Sequence, residues 1–253
     1  MVKVLIHGCN GRMGNMVSNL AANYDEIQIV AGVDRPDTEP GGKSYPIYEN
    51  LADVKEAADV IIDISTAAAV DGLLAYAEEK GIAAVICTTG LSEEQVANIG
   101  TLSKKVAILR SGNMSLGINT LIKVLKDISK TLHETGFDVD IVERHHRMKL
   151  DAPSGTAKML ADAVAEGTGK EMEYVYDRTE RRMERPHDEI GISAVRGGTI
   201  VGEHEVIFAG TDEIIEIKHT ALSRAVFANG ALKAALFLAD KKSGLYSMSD
   251  VIG

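Results

Sequence analysis

Cysteine is nearly absent from this chain: Cys9 and Cys87 are the only two in 253 residues. Neither sits at a metal-type or redox-type spacing, which excludes a disulfide framework and a thiolate zinc site. Both are expected as reduced thiols, and no metal is expected. Long hydrophobic runs are missing too, since Val60–Ile64 is cut by Asp63 and Ala231–Ala239 by Lys233. A membrane helix needs roughly 18 apolar residues in a row, so no membrane partner is expected. The chain enters a strand-like run at once (Val2–His7) without a basic segment or a small-residue cleavage site. No export signal is therefore expected, and the cytoplasm is the expected compartment. Positive charge is outweighed, with 27 Lys and Arg against 37 Asp and Glu and a formal net charge of −10. That balance repels phosphate backbones and argues against nucleic acid as a partner.

What is present is a hydrophobic fraction of 45%, enough for one large core or two modest ones. In the first half, strand-like runs (Val2–His7, Ile27–Val33, Val60–Ile64, Ala83–Thr88, Val106–Leu109) alternate with helix patterns at Arg12–Asn23, Val70–Lys80 and Glu93–Ser103. This is the grammar of βαβ units feeding a parallel sheet. From about Leu116 it changes: a long helix leads to a strand at Val139–His145 and a helix at Ser154–Thr168, then strands follow without helices between them. The expectation is an α/β protein with a doubly wound, Rossmann-like parallel-sheet domain (1–114 plus 225–253). A second, α+β domain on a mixed sheet is expected over 115–224. The charge-dense segment Asp177–His187 is expected to be a mobile surface loop.

Gly8, Gly11 and Gly14 lie between the first strand and first helix, in the string H-G-C-N-G-R-M-G. Bare backbone there allows a pyrophosphate to approach the N–H groups of a helix N-terminus, so Gly8, Cys9, Asn10, Gly11, Arg12 and Met13 are candidate cofactor residues. At the end of the second strand Asp34 can accept hydrogen bonds from an adenosine ribose, and Arg35 can neutralise a 2′-phosphate; each is equally readable as a solvated loop charge. NADH, NADPH or both are thus the expected cofactors. Two further loops follow strand ends on the same side, Cys87-Thr88-Thr89 with Gly90, and Ser111-Gly112-Asn113-Met114. Arg196-Gly197-Gly198 reads as a turn between strands.

The densest chemical signal is Glu143–Ala157, E-R-H-H-R-M-K-L-D-A-P-S-G-T-A. His145, His146, Arg147 and Lys149 crowd a strand end in an acidic protein, which repulsion makes costly unless an anion compensates. Pro153-Ser154-Gly155-Thr156 then opens a helix whose first amides suit a carboxylate. Cations beside an anion-ready helix end point to a dicarboxylate substrate. The plainer alternative is a solvated basic turn, with Ser154 as a helix cap and Asp151 as an internal counter-ion.

This segment resembles the signature of the dihydrodipicolinate reductase family, E-x-H-H-x-x-K-x-D-x-P-S-G-T-A. The likeness extends to G-C-N-G-R-M-G, to Thr88-Thr89-Gly90, to Val201–Glu205 and to Ser223–Ala228, and so spans nearly the whole chain. The resemblance implies hydride transfer from a nicotinamide to 4-hydroxy-tetrahydrodipicolinate with loss of water, on the diaminopimelate route to lysine. It implies His145 as proton donor and Lys149 as a second acid, with His146, Gly155 and Thr156 holding the carboxylates. It also implies a homotetramer joined through the second domain's sheets; with cofactor and dicarboxylate expected on different domains, a closing motion about short hinges near Asn113 and Arg224 is expected.

Overall fold

The computed structural model describes residues 1–35 and 42–253. The chain divides into two compact units, Met1–Leu116 with Arg224–Gly253, and Gly117–Ser223. The first unit begins β1 (Val2–His7), α1 (Arg12–Ala21), β2 (Ile27–Val33), β3 (Ile47–Tyr48) and a 3-10 turn at Leu51–Asp53. It continues with β4 (Val60–Asp63), α2 (Ala67–Lys80), β5 (Ala83–Ile86), α3 (Glu93–Leu102) and β6 (Ala107–Arg110). Then come α4 (Leu116–Glu134), β7 (Asp138–His145), α5 (Gly155–Thr168), β8 (Glu173–Val175), β9 (Glu189–Arg196), β10 (Gly202–Ala209) and β11 (Ile214–Ala221). The chain returns to the first unit as α6 (Ala225–Leu238), β12 (Gly244–Tyr246) and α7 (Met248–Ile252).

The first unit carries a seven-stranded parallel sheet, ordered β12-β6-β5-β4-β1-β2-β3. Strands covered on both faces read as near-continuous apolar runs, and β4 and β5 are buried at every position, apolar except for Asp63 at the end of β4. Because side chains alternate along a strand, Val4, Ile6, Ile62 and Val85 pack in one cluster with α1 and α6. Leu5, Ile61, Ala84 and Ile86 pack in another with α2 and α3. The strand order reverses at β1, which lies between β2 and β4. In such sheets the crevice beyond the carboxyl ends at the reversal is where ligands bind. The short β3, β12 and α7 were not expected, being too brief to show a period.

The second unit is built on a five-stranded mixed sheet, β11-β10-β7-β9-β8. β10 runs antiparallel to β7 and β11, while β9 runs parallel to β7 and β8. On β7 every second residue is buried: Val139 and Ile141, then Glu143 and His145. The first two join α4 and α5 in the core, so the row that faces the core ends in two titratable groups. On β11 Ile215 and Ile217 pack toward the same core. The opposite face is charged and paired, with Arg144 on Glu205 at 3.0 Å and Lys218 on Glu203 at 2.9 Å.

The 177–187 segment lies at the surface as expected, exposed throughout except at half-buried Arg185, yet three of its arginines are tied to the sheet. Arg178 and Arg181 each donate to the Glu189 carboxylate at 2.8 Å, and Arg185 donates to the carbonyls of Val139 and Glu189 at 2.6 Å. Glu189 is 1% exposed, and a carboxylate so buried has to be compensated by paired charge. The arginines are thus spent on the sheet. No helix among the described residues is long and apolar enough to cross a membrane.

Candidate active site

In the first unit the glycine turn is dictated sterically. Gly8 has φ +89°, a region side chains rarely adopt, and a Cβ there would lie 2.8 Å from the Ile64 carbonyl oxygen. At Gly14 a Cβ would sit 2.2 Å from the Gly8 oxygen, so this glycine lets α1 close on the turn. Gly11 differs: the nearest atom to a Cβ would be 3.5 Å away, and the residue lines an open cavity of about 530 Å³.

Of the expected cofactor residues, that cavity gathers Gly11, Arg12, Met13, Cys87, Thr88, Thr89, Ser111, Gly112, Asn113 and Met114. Ile64, Ser65, Arg224, Phe227 and Ala231 complete the lining; Arg224 and Phe227 belong to the Ser223–Ala228 motif, but none of the five was expected as a cofactor residue. Ile64 and Ser65 follow β4 at the sheet reversal, so the strand-end rule that selected the other loops would have found them. Gly8, Cys9, Asn10, Asp34 and Arg35 do not line it. The Cys9 side chain is wholly buried in the core. Burial, with the charge of Asp34, pushes its thiol up to about 11, and burial beside Asp63 pushes Cys87 up as well. Neither is a nucleophile at neutral pH.

Asp34 accepts the Asn10 backbone N–H at 2.7 Å and the Arg35 N–H at 2.8 Å, tying the end of β2 to the glycine turn. Lys43, absent from the sequence expectations, donates to Asn15 at 2.6 Å and Ser18 at 3.2 Å within reach of Asp34's field; burial lowers its pKa. A buried His7–Asp63 pair at 2.9 Å, joined by Ser65 Oγ at 2.6 Å, braces the ends of β1 and β4. A dinucleotide fits these residues: the turn leaves Gly11 bare, and Thr88 Oγ1 is buried without a hydrogen-bond partner, a polar atom ready for one.

In the second unit the signature segment forms a connected network. Glu143, 0% exposed, accepts from His145 Nδ1 at 2.6 Å, from Arg196 at 2.7 and 2.6 Å, and from the Ser154 backbone N–H at 2.9 Å. Burial opposes its ionisation, and the hydrogen bonds from Arg196, His145 and Ser154 outweigh that, holding the carboxyl below its ordinary range. Ser154 caps α5, its Oγ accepting the Ala157 N–H at 3.1 Å, and meets His204 Nε2 at 3.0 Å. Burial keeps His204 neutral, with a pKa of about 4. His145 is also lowered, by burial first, against the opposing pull of Glu143; Lys149 and Arg196 push it down further.

Lys149 pairs with Asp151 at 2.8 Å, so the counter-ion and cap roles of the plainer alternative are both present. They do not exhaust the site. Asp151 is 59% exposed at its side chain, a partner that a substrate carboxylate can replace. His146 Nδ1 is buried without a hydrogen-bond partner, and α5 begins at Gly155 and Thr156, whose turn presents backbone N–H groups. Arg196, expected as a turn residue, is instead the last residue of β9, and it also donates to the Asp151 carbonyl at 2.7 Å. Its pairing partner lies 53 positions away, beyond any local pattern.

A doubly wound unit with a glycine-turn cavity, together with an α+β unit whose helix cap is bonded to a histidine and a buried glutamate, defines a two-domain nicotinamide-dependent oxidoreductase. The comparisons specify which. Residues 2–114 match the family model for the N-terminus of dihydrodipicolinate reductase and residues 117–252 the model for its C-terminus. The chain belongs to the dihydrodipicolinate reductase family. It is 52% identical over 252 residues to a 4-hydroxy-tetrahydrodipicolinate reductase from Caldanaerobacter subterraneus subsp. tengcongensis, covering 100% of this chain and 98% of that one. The same enzyme from Clostridium tetani is 46% identical over 248 residues, covering 98% and 96%. Among solved structures, a dipicolinate-bound dihydrodipicolinate reductase from Paenisporosarcina sp. TG-14 superposes with TM-score 0.83 at 25% identity, covering 99% of each chain.

Proposed function

We propose that His145 and Lys149 supply the proton in a reduction whose substrate carboxylates are held by His146, Gly155 and Thr156. As a member of its family the chain is an oxidoreductase with 4-hydroxy-tetrahydrodipicolinate reductase activity, serving lysine and diaminopimelate biosynthesis with NADH or NADPH as reductant. The reaction takes up one hydride and one proton and releases the ring hydroxyl as water. Reduced nicotinamide would supply the hydride when bound; Gly11–Met13 of the glycine turn and the loops at Cys87–Thr89 and Ser111–Met114 would hold it, with Gly8, Cys9 and Asn10 shaping the turn behind them. Hydride addition to a conjugated imine builds negative charge on the nitrogen side, which a protonated His145 or Lys149 stabilises and then quenches. Lys149 lies close enough to His145 to depress its pKa, so the two share one electrostatic site and a dianionic ligand raises the protonated fraction of His145.

The observation that carries this reading is the link, through Glu143, of the cap of α5 to His145, which feels the charge of Lys149; the unpartnered His146 Nδ1 and the exposed partner of Lys149 support it. The finer parts of the reading are a homotetramer assembled through the charged sheet face and the β11 edge, and residence in the reducing cytoplasm, consistent with the free thiols Cys9 and Cys87. The test is oxidation of NADH and of NADPH in the presence of the condensation product of pyruvate and aspartate semialdehyde. Rapid oxidation that stops in a His145→Gln/Lys149→Ala variant supports the assignment, and an unimpaired variant removes it. Light scattering giving the mass of a single 27.1 kDa chain would remove the tetramer.

A further inference from the structure

We propose that Glu143 is a positioning residue: it fixes Nε2 of His145 as the nitrogen that gives the catalytic proton, and it ties that imidazole to the turn that opens α5. The inference rests on the reading of His145 as proton donor, and its tests are chosen so that the two can fail separately.

The geometry follows from strand alternation. Glu143 and His145 are next neighbours on the inward side of β7, with Glu143 opposite His204 on β10 and His145 opposite Arg196 on β9. An ionised carboxylate offers about four acceptor sites and no donor. In Glu143 they are met by His145 Nδ1, both terminal nitrogens of Arg196 and the Ser154 N–H. A neutral His145 hydrogen-bonded to such a group has to carry its proton on Nδ1, which leaves Nε2 as the atom that gains and loses the working proton. The backbone of β10 respects that nitrogen: a Cβ at Gly202 would stand 3.0 Å from Nε2.

The charged and titratable groups facing His145 are Glu143 on its own strand, Arg196 on β9, Lys149 in the following loop and His204 on β10, whose ring stands edge-on at 5.1 Å. Of these, Glu143 alone favours the imidazolium; burial, Lys149 and Arg196 all oppose it, and His204 is neutral. The same carboxylate accepts the N–H of Ser154, the cap of the helix whose first residues are Gly155 and Thr156. One buried side chain therefore sets both the acid's readiness and the position of the carboxylate-binding turn.

The direct test leaves the chain unaltered. In protein labelled with ¹⁵N-histidine, the His145 signals, identified by their loss in His145→Gln, should show the Nδ1–H form when neutral, and an Nε2–H form would overturn the proposal. Glu143→Gln should move the alkaline limb of the kcat profile to lower pH by about one unit, reduce kcat about tenfold at neutral pH and raise KM for the dicarboxylate. Glu143→Asp should restore part of the limb shift. Because Glu143→Gln strands the Arg196 guanidinium, Glu143→Gln/Arg196→Met serves as a second variant and should shift the limb in the same direction. A folded variant of either kind with an unmoved limb would overturn the proposal. If His145→Gln kept full turnover, the donor reading would fail, while the tautomer measurement would still judge the Glu143 network.

Discussion

In the first unit the candidate ligand surface is mostly backbone, hydroxyls and small side chains: Gly11, Thr88, Thr89, Ser111, Gly112 and Asn113 around an open cavity. In the second unit it is a web of ionisable groups, Glu143, His145, Lys149, Asp151, Arg196 and His204, joined by short hydrogen bonds. The first site is shaped by what the chain leaves out, and errors there are steric. The second is shaped by charges that hold one another, and errors there are errors of protonation. That contrast predicts which perturbations each unit will feel.

The largest effect should come from removing the acids. His145→Gln or Lys149→Ala should lower kcat by roughly 10² to 10⁴-fold, the usual range for a general acid. NADH affinity, measured by fluorescence titration, should be nearly unchanged, because the cavity lining lies wholly in the other unit. Near-normal turnover of Lys149→Ala with saturating substrate would assign the proton to His145 alone. The converse break is Gly14→Ala, which forces a Cβ into the Gly8 and Cys9 carbonyls. It should lower stability by about 1 to 3 kcal/mol, seen in denaturant unfolding, and weaken NADH and NADPH together. Equal cofactor affinity in that variant would show that the turn does not shape the nucleotide site.

Cofactor choice sharpens the comparison. Asp34→Ala should improve NADPH relative to NADH and Arg35→Ala should do the reverse, each by about 1 to 3 kcal/mol if a charged hydrogen bond is lost. Because Asp34 also holds the Asn10 N–H, its variant should weaken both cofactors somewhat while the ratio moves. An unmoved ratio of kcat/KM values would make both residues loop charges and turn attention to Lys43, which feels the charge of Asp34. The smallest effect concerns His204. Its folded pKa of about 4 lies below the ordinary 6.5, so between those values the unfolded chain binds a proton that the folded one does not. Stability should therefore fall as pH drops through that window, by at most about 1.4 kcal/mol per unit for this group. His204→Gln should make the acid slope shallower in urea titrations at pH 7 and 4.5; an unchanged slope contradicts its burial as a neutral imidazole.

The doubly wound unit was legible because its evidence is local: apolar runs of strand length, helices between them, and glycines at a strand-to-helix turn. The candidate site was legible wherever it was contiguous, as in His145, His146, Lys149 and the Ser154–Thr156 turn. Glu143, Arg196 and His204 were missed as partners because their meeting depends on strand register. β7 lies between β9 and β10, and no spacing rule brings Arg196 back to Glu143. Charge density in 177–187 rightly placed it at the surface, but the pairing of Arg178 and Arg181 was not legible, since the buried Glu189 they serve lies just past the segment and inside the sheet. Lys43 and the His7–Asp63 pair carried no motif at all.

The claim that the two sites are separable is tested most directly by calorimetric titration of pyridine-2,6-dicarboxylate into the NADH-saturated protein, in parent and His146→Ala forms. Dicarboxylate affinity should fall about tenfold or more in the variant, as expected when a charge-assisted hydrogen bond is lost, while the NADH dissociation constant stays the same. An unchanged dicarboxylate affinity, or a parallel loss of NADH binding, would contradict the account.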